Sequence, residues 1–354
     1  MFYRENGQFK STYASDQQML PILQDRVVMF GLLAFAFVGM PFVASDYVFL
    51  SLLIPFLILA LAAIGLNLLV GYCGQISIGH AAFMAVGAYA AYNLVLRVPQ
   101  LNFLIVLVIA GLIAATLGMI FGVPSLRIKG LYLAVATLAA QFFTDWMFAR
   151  VKWFTNYSGS GSVSSAPVEL FGWRVDTPVE KYLFLLGVLI VFTLVAKNLV
   201  RGRIGREWMA MRDMDVAAEV IGIRPVYAKL TAFGVSAFYC GVAGALWGFL
   251  HLGSWEPLAF NLTLSLNLLF MIIIGGMGSI LGSYFGAAFI VALPIILDQV
   301  PLWLGVPMST AMASHLALMI FGALIVFFLI VEPNGLARLW AIGKEKLRLW
   351  PFPH

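Results

Sequence analysis

Runs of about 20 apolar residues return along the whole of this chain, and each is long enough to cross a bilayer core of about 30 Å as a helix. Of the 354 residues, 62% are hydrophobic and only 10% charged, against about 25% charged in a soluble protein. That much apolar surface cannot be hidden without lipid. The sequence therefore predicts an all-α, polytopic membrane helical bundle of about ten transmembrane helices. The spans are expected near 26–44, 47–70, 76–96, 102–124, 130–149, 181–200, 227–252, 260–275, 280–300 and 311–331.

Lys and Arg accumulate in the cytoplasmic loops of membrane proteins. With the N-terminus inside, 16 of the 21 fall on the inner side, leaving Arg97, Arg150, Lys152, Arg174 and Lys181 outside. The expected layout is a cytoplasmic tail over 1–25, a transmembrane domain over 26–331 and a cytoplasmic tail over 332–354. No cleavable leader is legible in the polar opening "MFYRENGQFKSTYASDQQMLPILQD", which meets the first apolar run without a small-residue cleavage site. Cys73 and Cys240 lie in apolar segments, which argues against a structural disulfide. The net charge of +5 reflects the inner loops and gives no reason to expect nucleic acid.

Loop 150–180 is rich in Ser, Gly and aromatics, too long for a tight turn, and is expected to form a small external lid or docking surface, with a floppy connector as the alternative. Two stretches look like interrupted helices. "GYCGQISIGHAAFMAVGAYAA" (71–91) gathers Gly71, Gly74, Gly79 and Gly87 around Gln75, Ser77 and His80. "EPLAFNLTLSLNLLFMIIIGGMGSILG" (256–282) sets Asn261, Thr263, Ser265 and Asn267 before Gly275, Gly276 and Gly278. The first starts at the inner face and the second at the outer, so 47–150 and 227–331 read as an inverted repeat of the kind transporters use. Unwound backbone within a membrane survives beside protein or a watery cavity. Gln75, Ser77, His80, Asn261, Ser265 and Asn267 are therefore candidates for a translocation path, with helix–helix hydrogen bonding as the competing role.

Ionisable residues inside spans mark ion or proton relays. Here they reduce to Asp145 near an outer helix end and to His80 and His315 as interior cases. Proton coupling has little to act on. The phosphate-loop pattern is missing, since "AIGKEK" (341–346) lacks its first glycine and its hydroxyl residue. No nucleophile triad or metal-ligand set stands out, so no catalytic or metal-binding residue is proposed. The chain is either a passive conduit or a machine driven from another subunit.

The segment "RGRIGREWMAMRDMDVAAEVIGIRP" (201–225) bears on that choice. A helix over 205–222 would align Trp208, Met211, Ala218 and Ile221 in one apolar stripe with charges on either side. Gly222 would stop it and Pro225 prevent its resumption. Such a helix suits docking in a partner's groove; the alternative is a helix lying flat on the membrane. Arg212, mid-helix, is expected to meet that groove.

"GREWMAMRDMDVAAEVIGI" resembles the coupling loop of permease subunits in bacterial ABC importers, whose pattern is Glu-Ala-Ala-x-x-x-Gly. Gly205, Arg206, Ala210, Arg212, Ala217, Ala218, Gly222 and Ile223 fit the version found in the branched-chain (hydrophobic) amino acid permease family, in the larger of its two permease types. Val216 replaces the acidic residue. The resemblance extends through "GLNLLVGYCGQISIGHAAFMAVGAYAA", "GVPSLRIKGLYLAVATLA", "KLTAFGVSAFYCGVAGAL" and "IIGGMGSILGSYFGAAF", in that family's order; Leu131 stands where members often carry an acidic residue. It implies a fold similar to the ten-helix permeases of vitamin B12 importers. It also implies a second homologous permease subunit, two ATPase subunits that bind the ATP and magnesium, and a periplasmic substrate-binding protein. The coupling set would be Gly205, Arg206, Trp208, Met211, Arg212, Ala217, Ala218 and Gly222, in a bacterial cytoplasmic (inner) membrane. The family's substrates include leucine-type amino acids, urea, short amides and aromatic acids. The rival reading is a facilitative channel or secondary transporter for a small polar solute such as urea or an amide.

Overall fold

The computed structural model describes residues 12, 23–128, 130–158, 161–170, 172–303, 310–331 and 335–349; most of the expected N-terminal tail lies outside them. A helix occupies each of the ten expected positions. In chain order these are α1 (Asp25–Val43), α2 (Asp46–Tyr72), α3 (His80–Arg97), α4 (Phe103–Gly122), α5 (Leu131–Arg150) and α6 (Pro178–Arg201). The short helices α7 (Arg203–Asp213) and α8 (Asp215–Val220) follow, then α9 (Pro225–Leu252), α10 (Leu262–Gly275), α11 (Ile280–Trp303), α12 (Thr310–Val331) and α13 (Gly335–Leu349). Among the described residues, seven helices are long and apolar enough to cross a membrane. The chain is an all-helical, multi-pass membrane protein. α3 falls short of that measure because protein surrounds it nearly throughout, so it need not be uniformly apolar.

α2 and α9 form the centre, while α1 has no buried residue and faces outward. In lipid, close backbone approach replaces the hydrophobic effect as the force between helices, and glycines supply it here. A Cβ on Gly87 of α3 would lie 1.9 Å from the Gly241 carbonyl oxygen of α9. One on Gly244 would lie 1.9 Å from that of Met84. The long central helices cross where Gly65 meets Tyr239 and the Ser236 carbonyl.

α9 packs on α3 and α4, and α2 packs on α10 and α11. Both α2 and α9 finish in a turn of π-helix, Leu68–Tyr72 and Trp247–Leu252, before an unwound segment and a shorter helix. The long loop after α5 is ordered by two small ribbons. Val163–Ser164 (β1) pairs antiparallel with Ser254–Trp255 (β4), and Glu169–Leu170 (β2) with Trp173–Arg174 (β3). Thr177 and Glu180 then form a reciprocal cap at the start of α6, satisfying two orphan donors. At the opposite face, Lys344 of α13 lies 2.9 Å from both carboxylate oxygens of Asp25, so the two ends of the described chain share one side of the bundle. His315, expected inside, is exposed on α12, which packs only on α10 and α11 among its stronger contacts.

Candidate functional site: a corner and two helix breaks

The charged segment is two helices rather than the single one expected over 205–222. α7 ends at Asp213, Met214 is extended (φ −155°, ψ 98°), and α8 restarts at Asp215. An 18-residue straight helix would run about 27 Å; the corner at Met214 instead lets both pieces lay a buried side on the bundle. Gly222 terminates α8 with φ +92°, as a left-handed residue after a helix should.

The stripe expected to enter a partner's groove is turned inward. Trp208 is fully buried and donates from Nε1 to Thr231 Oγ1 of α9 at 3.2 Å; Met211 and Ala218 are buried too. Ile221 alone of the four is exposed. The bundle itself offers an apolar surface, and a tryptophan gains more there than in water. Gly205 allows the turn from α6 to α7, where a Cβ would meet the Val200 carbonyl oxygen at 2.2 Å. Arg206 is exposed and donates to the Arg201 carbonyl at 3.0 Å. What the corner presents outward is Met214, Val216, Val220 and Ile221, with Ala217 and Gly222 beside them.

Arg212 also turns inward. Its Nε and one terminal nitrogen each lie 2.9 Å from Asp213 Oδ1, and the other terminal nitrogen donates to the Gly71 carbonyl at 3.0 Å. The reason is local. A helix leaves its last carbonyls without partners; at the end of α2 the Gln75 N–H takes Leu69, the Gly74 N–H takes Val70, and Arg212 takes Gly71. A cation at a helix C-terminus is favoured by the helix dipole as well. Gly74, at φ +72°, has Arg212 Cγ 3.0 Å from its would-be Cβ. A cavity of about 420 Å³ lies between break and corner, lined by Gln75, Gly130, Arg212, Asp213, Val216 and Lys229 among others. Lys229 is buried and donates to the Ser125 carbonyl at 3.2 Å.

Beyond the first break, the start of α3 is capped by other helices. The Ile78 N–H reaches Thr137 Oγ1 (3.0 Å), the Ala81 N–H reaches Ser265 Oγ (2.8 Å) and the Ala82 N–H reaches Gln141 Oε1 (2.7 Å). Ser265 Oγ then donates to Gln141 Oε1 at 3.1 Å, while Gln141 Nε2 donates to the Phe260 carbonyl and to Asp145. His80 is held through Nδ1 by Ser77 Oγ and through Nε2 by Ser236 Oγ, each at 2.8 Å. Four of the six path candidates, Gln75, Ser77, His80 and Ser265, are thus buried. Asn267 is half-buried, and Asn261 is exposed, capping α10 by accepting from the Leu264 N–H at 3.1 Å.

A family model described as "Branched-chain amino acid transport system / permease component" matches residues 48–329, from α2 through most of α12. This chain belongs to that family. It is 29% identical over 305 residues to the high-affinity branched-chain amino acid transport system permease protein LivM of Escherichia coli K12, covering 79% of this chain and 68% of that protein. The LivM of Salmonella typhimurium LT2 is 28% identical over the same shares. A probable LivM of Methanocaldococcus jannaschii is 20% identical over 316 residues, 78% of this chain and 89% of that one. No solved structure matches the chain. The matched region contains α3 through α11, the corner and both helix breaks; α13 lies beyond it.

Sequence reading missed several polar residues of this permease. Gln141, Thr137 and Ser236 sit singly in apolar helices and are fully or nearly fully buried. Asn67 is the fourth, 1% exposed near the end of α2. A lone polar residue inside a span is the signal that could have found them, but it does not name the partner.

Proposed function

We propose that the chain is one transmembrane subunit of a binding-protein-dependent ABC importer for branched-chain or other hydrophobic amino acids, in the bacterial cytoplasmic membrane with both termini inside. A second, homologous permease would complete the path, two ATPase subunits would bind ATP and magnesium, and a periplasmic binding protein would deliver substrate at the face carrying loop 150–180. One observation carries the coupling part of this reading. The α7–α8 corner keeps Met214, Val216, Val220 and Ile221 exposed on a rigid, buried footing, which is what a groove-docking element requires. Gly205, Trp208, Met211 and Ala218 supply the footing; Ala217 and Gly222 keep the exposed side lean; Arg206 borders it. ATP-driven closure of the ATPase pair would move the corner and bias the bundle between two states, which needs ATP to favour one of them.

The path reading extends to Gln75, Ser77, His80, Asn261, Ser265 and Asn267, supported by their placement around the starts of α3 and α10. Cysteines at these positions in the assembled complex should label with small aqueous reagents in a turnover-dependent way, and equal protection in every nucleotide state would count against it. The function is tested by reconstitution. The chain alone in liposomes should accumulate no leucine under a proton or sodium gradient, whereas the complex with binding protein and internal ATP should. Val220→Asp should reduce recovery of the ATPase subunits on the permease, because a buried valine side chain contributes about 1.5–3 kcal/mol. Gradient-driven accumulation by the isolated chain would overturn the reading.

A further inference from the structure

We propose that Asn67 is a positioning residue that fastens the α7–α8 corner to the α10–α11 link, so that the two move as one. The role given to the corner rests on the ATPase-docking reading above; the fastening itself does not.

Asn67 uses both ends of its amide across more than 200 residues of sequence. Nδ2 donates to the Ser279 carbonyl at 2.8 Å and to Ser283 Oγ at 2.9 Å, with the Gly276 carbonyl at 3.4 Å; Oδ1 accepts from the Gly278 N–H at 2.8 Å. One helical turn later comes Gly71. A Cβ there would stand 2.0 Å from Asn67 Oδ1 and 2.2 Å from the Gly278 nitrogen, so the backbone itself is pressed into the link. The Gly71 carbonyl is the one that Arg212 grips. Arg212 is close to the link too, its terminal nitrogen 3.3 Å from a would-be Cβ on Gly278. The start of α13 seats on the same place, where Gly335 (φ +66°) would bring a Cβ within 2.7 Å of the Gly276 nitrogen.

Corner, end of α2 and α10–α11 link are therefore joined by a continuous run: Asp213, Arg212, Gly71, Gly278, Asn67. Asn67 and Gly71 are buried and Gly278 partly so, where a donor or acceptor stripped of its partner is costly. The link cannot shift against α2 without breaking the Asn67 bonds together, and the corner cannot shift without pulling on the Gly71 carbonyl. A run joined in this way moves as a unit, which is what would let motion pass between the corner and the link.

The first test uses the purified chain alone. In a Ser279→Cys background, maleimide labelling reports opening of the link; the native Cys73 and Cys240 are buried. Asn67→Asp keeps the volume and the acceptor but removes the N–H donors, and Arg212→Gln removes the grip from the half-exposed side. Each should speed labelling about tenfold through local opening, and the double variant should be no faster than the faster single one, since members of one network are non-additive. Unchanged labelling in either single variant, or multiplied effects in the double, overturns the fastening. The second test uses the complete importer with binding protein. Asn67→Asp should retain the ATPase subunits and hydrolyse ATP while accumulating about a tenth of the substrate; undiminished accumulation overturns the positioning role. If the wild-type chain fails to retain ATPase subunits, the docking reading falls, and the labelling result still decides the fastening by itself.

Discussion

The segments 73–79 and 253–261 are the two helix breaks; they share one anchor, Gln141, and are otherwise secured differently. Each follows a long central helix that ends in a π turn, and each leads into a shorter helix. The first is buried except at Gly74, Ile76 and part of Ile78, and the amides at the start of α3 are satisfied by Thr137, Gln141 and Ser265 from α5 and α10. The second is capped locally by the exposed Asn261 and held by loop 150–180, where the Ser165 N–H donates to the Gly253 carbonyl at 2.7 Å beside the β1–β4 ribbon. The first break is held by side chains of α5 and α10; the second is held by a local cap and the β1–β4 ribbon as well as by Gln141 of α5, which donates to the Phe260 carbonyl at 2.8 Å. Similar sequence devices are thus secured by different sets of partners.

That contrast can be attacked from its strongest point. Gly79→Ala should leave almost no monodisperse protein in a size-exclusion profile of the detergent extract, because the new Cβ would lie 2.2 Å from the Thr137 carbonyl oxygen, and overpacking against backbone has no cheap relaxation. Normal yield from this variant would mean that the first break is looser than its counterpart, not tighter.

Gln141→Leu comes next. It strands the Ala82 N–H, the Ser265 hydroxyl and the Phe260 carbonyl, at a cost of about 2–4 kcal/mol, read as a large fall in the thermal unfolding midpoint. Because Gln141 bonds to both breaks, a fall no greater than that of the surface variants below would mean that neither depends on it.

Gly253→Ala should cost only about 1–2 kcal/mol. The residue has φ +71° but nothing within 4 Å of its would-be Cβ, so backbone strain is the whole effect. The smallest change is expected for Asn261→Ala, about 1 kcal/mol from a lost cap, with recovery in Asn261→Asp or Asn261→Ser. The same midpoint measurement checks both, and failure of Asp and Ser to restore it would place Asn261 in contacts other than the cap.

The corner adds a further contrast between what is legible and what is not. Trp208 and Met211 were recognisable as special from their spacing, Arg212 from the family pattern it fits, and the stop at Gly222 was readable as well. Their direction was not. Amphipathic spacing states that one side of a helix avoids water, but the same stripe fits a partner's groove, a membrane surface or the protein's own bundle. Here Thr231 and the flank of α9 were available and took Trp208. The corner at Met214 was hidden for a related reason: no glycine or proline marks it, and it follows from docking two pieces on one curved surface.

By itself the sequence determined that the chain is an all-helical membrane protein, where its helices lie, and that glycine-rich stretches interrupt them. These follow from rules acting over a turn or a span: the length of an apolar run against the bilayer, and the freedom of glycine to end a helix. The tertiary structure decided which single polar residues matter and to what they are bonded. Asn67 meets Gly278 across 211 residues, and Gln141 meets Phe260 across 119. In an apolar interior each such group must find a partner, but which partner it finds depends on how distant helices pack, and no local pattern encodes that.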